Sequence, residues 1–266
     1  MRTLTMNDGR EIPALGFGTY LVPPEDAARV TRQGLAAGYR LVDTAAFYAN
    51  EQGVADGLGE DDAFLTTKLW RTDLGYDAAL RGIDDSLARL GRERVDLYLI
   101  HWPVPSSGLA AETWKAFVRI RDEGRAKSIG VSNFGADDIR AIADATGVMP
   151  ALNQVELHPS FQQRALRAFH AANGIVTQSW APLGQGHLLD HTAIHGVAEK
   201  QEASTAQVIL AWHRQHGLAA IPKASSPGRL KENLASLAVT LDAEDMAELD
   251  SQDDPEGRLG PDPATM

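Results

Sequence analysis

Short apolar runs alternate along this chain with stretches whose apolar residues recur every three to four positions. The runs are "ALGFGT" (14–19), "YRLVDT" (39–44), "AFLTTKL" (63–69), "VDLYLIH" (95–101), "AKSIGVSN" (126–133), "ALNQVEL" (151–157), "GIVTQSW" (174–180) and "LAAIPK" (218–223). Their length and their Val, Ile, Phe and Tyr content predict buried strands. The stretches between them predict helices. "PEDAARVTRQGLAAG" opens on Pro and acids and closes at Gly38. "YDAALRGIDDSLARLG" sets Leu80, Ile83, Leu87 and Leu90 on one face before Gly91, and "LAAETWKAFVRIRDEG" carries Trp114, Phe117, Val118 and Arg121 at helical spacing. Eight strand–helix units predict a (β/α)₈ TIM barrel, an α/β fold. An open doubly wound sheet would place a Gly-rich phosphate loop after its first strand; "GFGTYL" lacks the third glycine and opens no helix.

Outside the rhythm, "RTLTMNDGREIP" predicts a hairpin turning at Asn7-Asp8-Gly9. The expected organisation is one domain over 1–266, with a hairpin cap at 1–13 and a Pro/Gly/Asp-rich tail at 251–266 that wraps the surface or frays.

In such a barrel, chemistry sits at the C-terminal ends of the strands. Seven of the runs turn polar there: Asp43 with Tyr48 just beyond, Lys68, His101, Ser132-Asn133, Asn153 to His158, Trp180, and Lys223. A free phenol has a pKa of about 10 and is a reluctant acid; a nearby ammonium lowers that value. Lys68 is the candidate ammonium, Asp43 would keep it charged, and His101 would orient a substrate oxygen. The four make a proton donor of the general-acid type. Lys223 and Arg229 flank a Ser-Ser-Pro-Gly turn opening a helix, a local anion site. Trp180 offers a flat face, and Ser132, Asn133 and Gln154 offer hydrogen bonds suited to a carboxamide. Together these features suit an extended nicotinamide dinucleotide.

Bulk properties narrow the field. Asp+Glu 36 against Lys+Arg 25 gives a net charge of −11, which argues against a nucleic-acid partner. The absence of cysteine excludes disulfides, thiol nucleophiles and Cys-ligated metals. No run reaches 18 apolar residues and no apolar leader is visible, so a cytoplasmic protein without membrane contact is expected.

The motifs "DTAAFYANE", "TTKLW", "DLYLIHWP", "SIGVSNF", "NQVELHP", "QSWAPLGQG" and "IPKASSPGRLKEN", in this order, resemble the aldo-keto reductases from "LGFGTY" to the tail. The chain is most similar to the bacterial 2,5-diketo-D-gluconic acid reductase branch. The resemblance implies a barrel whose bottom is closed by the N-terminal hairpin, and a catalytic tetrad of Asp43, Tyr48, Lys68 and His101 with Tyr48 as the acid. It implies NADPH/NADP+ as cofactor. The nicotinamide would stack on Trp180, with Ser132, Asn133 and Gln154 on its carboxamide. Thr19 and the loop residues Ala181, Leu183, Gly184, Gln185 and Gly186 would also contact the cofactor. Lys223, Ala224, Ser225 and Arg229 would surround the 2′-phosphate, with Glu232 and Asn233 at the adenine. Ala224 stands where the family usually has Ser, which weakens one phosphate contact. Tyr20, Phe47 and Trp102 would line an open mouth for a small carbonyl substrate. A monomer is implied.

Two other readings stand beside this one: a metal hydrolase using Asp43, His101, Glu156 and His158, and a non-catalytic NADPH-binding sensor. His158 reads as a core histidine and Glu156 as a brace of the mouth. His170, His187, His191, His195, His213 and His216 are expected on the surface, and Trp114 and Trp212 in the core.

Overall fold

The computed structural model describes residues 2–266; Met1 lies outside them. Thr3–Thr5 (β1) and Glu11–Pro13 (β2) pair as an antiparallel hairpin. Eight parallel strands follow: Phe17–Gly18 (β3), Leu41–Asp43 (β4), Phe64–Leu69 (β5), Val95–Ile100 (β6), Ala126–Ser132 (β7), Leu152–Glu156 (β8), Val176–Trp180 (β9) and Ala219–Ala220 (β10). They are hydrogen-bonded in chain order. Bridges from Leu15 to Ala220 and from Gly18 to Lys223 close the ring. The first and last strands are shorter than their runs, because the closing seam is held by these single bridges rather than a continuous ladder. The fold is a (β/α)₈ barrel.

Helices cover the outside: Pro24–Ala37 (α1), Glu51–Leu58 (α2), Tyr76–Leu90 (α3), Ala110–Asp122 (α4), Ala136–Thr146 (α5), Arg164–Ala172 (α6), Thr192–Lys200 (α7), Thr205–Gln215 (α8), Pro227–Ala235 (α9) and Ala243–Asp250 (α10). Gly38 and Gly91 end α1 and α3 in the left-handed conformation, as expected of residues without a Cβ.

The interior follows from strand alternation. Leu41, Leu97, Leu99, Leu152, Val176, Ala219 and Ile221 form one apolar cluster with Met6 and Ile12 of the hairpin. The hairpin therefore plugs one end. Asn7 donates to the Pro150 carbonyl at 2.9 Å and Ser128 to Asp8 at 2.6 Å, both near strand beginnings. At Gly130 a Cβ would stand 2.5 Å from the Leu152 carbonyl, so only glycine fits there. Two positions beyond the apolar layer, on the same strand faces, come Asp43, Gln154 and Gln178. The mouth is polar because the pattern changes there.

Two histidines expected on the surface are buried instead. His170 in α6 sits between Asn153 and Thr177, and His213 in α8 lies against the Ile209 and Leu157 carbonyls. Their partners come from other elements or another turn, so helical periodicity alone exposed neither. Burial pushes each imidazole down to about 4 from 6.5. A folded-state value below the unfolded one means the unfolded chain binds more protons between those limits. The stability is therefore complete above pH 6.5 and lost as pH falls toward 4. On the order of 3 kcal/mol is expected from each histidine, at about 1.4 kcal/mol per unit. Urea unfolding at pH 7 and pH 4.5 checks this; His213→Gln should flatten part of the dependence, and equal stability at both pH values would refute it.

Candidate active site

Strand β4 ends on Asp43, and a 3-10 turn, Ala46–Tyr48, delivers the phenol. Asn50 ties that turn to the loop after β3. Its amide donates to the Thr19 and Val22 carbonyls at 3.0 Å, and its oxygen accepts from Thr44 at 2.8 Å. Lys68, on β5, is completely buried. Its Nζ lies 2.5 Å from Asp43 Oδ1, 2.9 Å from the Thr44 carbonyl and 5.1 Å from the centre of the Tyr48 ring. His101, next after β6, places its ring edge-on to Tyr48 at 5.8 Å between centroids. The structure thus brings Asp43, Tyr48, Lys68 and His101 together at the C-terminal end of the barrel.

Burial raises the Asp43 carboxyl and depresses the Lys68 ammonium, and each opposes the other's shift. Gln154 adds a donor to Asp43: its Nε2 lies 2.7 Å from Asp43 Oδ2 and 2.7 Å from Gln178 Oε1. The buried ion pair is therefore wired across the barrel interior. His101 is driven well below 6.5 by burial and then by the Lys68 charge, so it is a neutral imidazole. Its Nδ1 is buried without a partner.

The phenol does not behave as the residue types alone suggested. Tyr48 is half-buried. Desolvation, then the charge of Asp43, hold it well above its ordinary value near 10. Burial is the larger cause, and the Asp43 carboxylate and the neighbouring Tyr20 act in the same direction. The geometry keeps a proton on the phenol rather than softening it.

Around this centre the rim is aromatic. Tyr20 lies 5.2 Å from Tyr48, and Phe47 stacks on Trp70 at 3.8 Å. Trp70 is also 5.2 Å from His101. Tyr20 and Phe47 are half exposed, whereas Trp102 is buried. Trp70, Asn50 and Gln178 were not singled out from the sequence. Asn50 directly follows the phenol turn and is the one whose position could have suggested a role.

On the far side, Trp180 closes β9 with its Nε1 2.8 Å from Asn133 Oδ1. Asn133, in the left-handed region at φ 65°, donates to the His101 carbonyl and to Ser132 Oγ. Ser132 donates to the Gln154 carbonyl. Gln154 spends both amide protons inside the barrel, which leaves its Oε1 for a ligand. After Trp180, Ala181, Gly184, Gln185 and Gly186 all take positive φ, and Leu183 sits among them. Lys223 and Arg229 are exposed at the start of α9, where Ser226 caps the helix by accepting from the Arg229 N–H. Neither cation is in an ion pair among the described residues. Ala224 is buried in the apolar core, Ser225 and Glu232 are half-buried, and Asn233 and Thr19 are buried.

Among the described residues, no group of three or more His, Cys, Asp or Glu is placed to hold a metal ion. Asp43 and His101 are apart from the Glu156–His158 pair, whose members bond each other at 3.1 Å. No helix among the described residues is long and apolar enough to cross a membrane.

The model of the aldo/keto reductase family matches residues 14–254. An aldo-keto reductase of Mycobacterium sp. (strain KMS) is 48% identical over 268 residues, covering 99% of this chain and 97% of the relative. The methylglyoxal reductase DkgA of Escherichia coli (strain K12) is 39% identical, covering 98% and 96%. A crystal structure of a Gox0644 mutant in complex with NADPH superposes with a TM-score of 0.98 at 48% identity, covering 100% of this chain and 98% of the other.

Proposed function

The chain belongs to the aldo/keto reductase family, and on that premise we propose that it is an NADPH-dependent oxidoreductase that reduces aldehydes and ketones to alcohols, with Tyr48 as general acid. The observation that carries this reading is the buried Lys68–Asp43 ion pair beneath a phenol that keeps its proton.

The residues present fit the cofactor. A half-buried indole at the end of β9, a loop rich in positive-φ residues after it, and two unpaired cations following the neighbouring strand β10 and opening α9 share one side of the barrel. Trp180 would carry the nicotinamide, Ser132, Asn133 and the Gln154 oxygen its carboxamide, and Lys223 and Arg229 the 2′-phosphate. Bound there, NADPH supplies hydride. The chain's own residues do the rest. Neutral His101 orients the carbonyl oxygen, and Tyr48 delivers a proton as negative charge develops there. Asp43 and Lys68 present a net-neutral pair that holds the phenol in place without withdrawing its proton.

The similarity to a methylglyoxal reductase supports small carbonyls as substrates, with methylglyoxal and keto-sugar acids such as 2,5-diketo-D-gluconate first among them. Tyr20, Phe47 and Trp102, joined by Trp70, would line their path. The same reading has the protein act as a cytoplasmic monomer. NADPH oxidation across diketo-gluconate, methylglyoxal, aryl aldehydes and ketoesters tests it. Tight NADPH binding with no oxidation anywhere in the panel would favour the sensor reading instead.

Cofactor choice gives a separate test. Lys223→Ala with Arg229→Ala should weaken NADPH binding by roughly tenfold to a hundredfold, because charge-assisted bonds to phosphate are lost. Affinity for NADH should stay within about twofold. Equal losses for both cofactors, measured by fluorescence titration, would remove the phosphate assignment.

A further inference from the structure

Glu156 ends β8 with 1% of its surface exposed, touches none of the candidate catalytic atoms, and holds the C-terminal tail. Its Oε1 accepts from the Leu259 N–H at 2.7 Å and its Oε2 from the Gly260 N–H at 2.9 Å. His158, wholly buried, approaches Oε1 at 3.1 Å through Nε2 and has Ser160 Oγ 3.0 Å from Nδ1. Burial opposes the charge of Glu156, but His158 and the two amides outweigh it and hold the carboxyl below its ordinary range. Consecutive backbone N–H groups on the two oxygens of one carboxylate form a clamp between positions more than a hundred residues apart.

The tail has no slack at this clamp. A Cβ on Gly260 would lie 2.5 Å from Trp180 Cη2 and 2.9 Å from Glu156 Oε2, and one on Gly257 would lie 2.1 Å from the Ser160 carbonyl. Arg258 covers the Phe161 ring at 4.7 Å. From there the chain runs on until the Met266 sulfur stands 3.9 Å from Arg71, just beyond β5. Strands β8 and β5 are three places apart in an eight-stranded ring, and between them Asp262, Pro263 and Ala264 share a cavity with Pro105 and with Asn133 to Asp138, so this segment follows the rim past the ends of β7 and β6. This cavity, of about 470 Å³, is lined by Asn133, Glu156, Arg258 and Asp262 among others. The Trp180 indole is then gripped at two ends, by Asn133 at its nitrogen and by Gly260 at its six-membered ring.

We propose that Glu156 is a positioning residue whose carboxylate latches the segment 257–266 along the rim of the barrel mouth, fixing the seat of Trp180 and the part of the rim it borders. Its kinetic consequence rests on the reductase reading above; the latch itself does not.

Glu156→Gln tests the latch. The amide has one acceptor oxygen where three N–H donors now converge, so at least one donor loses its partner. Residue-resolved amide exchange of the apo protein should show Leu259 and Gly260 exchanging roughly tenfold faster or more, with exchange in β5 and β6 unchanged. The KM for methylglyoxal should rise roughly five- to tenfold and NADPH affinity should fall roughly threefold as Trp180 loosens, with kcat within about threefold. Deleting 258–266 should reproduce the KM change, and Glu156→Gln should add nothing in the shortened chain. Gly260→Ala, whose Cβ would meet both the Trp180 ring and Glu156 Oε2 while keeping the carboxylate's charge, gives the same kinetic signature if Glu156→Gln fails to fold. Unaltered amide exchange, or a further KM increase from Glu156→Gln in the shortened chain, would overturn the proposal. Faster exchange in a protein that reduces no carbonyl would leave the latch standing and sink the reductase reading alone.

Discussion

Replacing Tyr48 by Phe is expected to lower kcat for carbonyl reduction by roughly 10²–10⁴-fold while leaving NADPH affinity within about twofold. The ring, and with it the contact to Tyr20 and the edge-on packing against His101, survives this change. Only the proton source is removed, so the loss should fall on kcat rather than on cofactor binding. The pH profile of the native protein supplies the companion measurement. A phenol held above its ordinary value keeps its proton through neutral pH and past pH 10. The alkaline limb of kcat/KM assigned to Tyr48 should therefore lie above pH 10, and not below it as an ammonium-softened phenol would give. Residual turnover in Tyr48→Phe within tenfold of native would remove the phenol from the chemistry.

Lys68→Met should be the most damaging single change to the fold around the site. Lys68 and Asp43 are both buried and their charged atoms are 2.5 Å apart. Removing the ammonium strands a carboxylate whose remaining side-chain partner is Gln154. Leaving one member of a buried pair uncompensated costs about 3–5 kcal/mol. For a chain of this length that corresponds to a Tm lower by on the order of 10 °C. Activity should fall by roughly 10²-fold or more, because the phenol loses its support. Asp43→Asn placed in the Lys68→Met background should recover a large part of the lost stability, since it removes the stranded charge. Thermal unfolding of the two single variants and the double variant completes the cycle. Additive losses would show that the two residues do not act as a pair.

The barrel was legible because each strand run and each helix stripe is a local pattern, read within a window shorter than a single strand–helix unit. The polar endings of β4, β5 and β6 were legible for the same reason: Asp43, Lys68 and His101 interrupt apolar runs at their last positions. Less could be read where the partner is remote. His170 and His213 looked like surface histidines on their helices, yet each fills a buried site completed by residues from elsewhere. Gln154 looked like a free amide at a strand end; its donors are consumed by Asp43, 111 residues away, and by Gln178. Glu156 at a strand end suggests a brace of the mouth; its carboxylate instead holds a tail about a hundred residues downstream.

Alternation and periodicity in the residues themselves determined the barrel, its polar rim and the strand-end positions of Asp43, Lys68 and His101; Tyr48, on the turn beyond β4, came with the motif. Those properties depend on which side chains face inward, and strand geometry settles that residue by residue. Tertiary structure alone decided the direction of the phenol's shift, the partners of the interior amides and the course of the tail over Trp180. These depend on distances between segments far apart in the chain. Burial of the phenol and the charge of Asp43, a residue on another segment, raise Tyr48 above its ordinary value, against the lowering that a neighbouring lysine alone suggests.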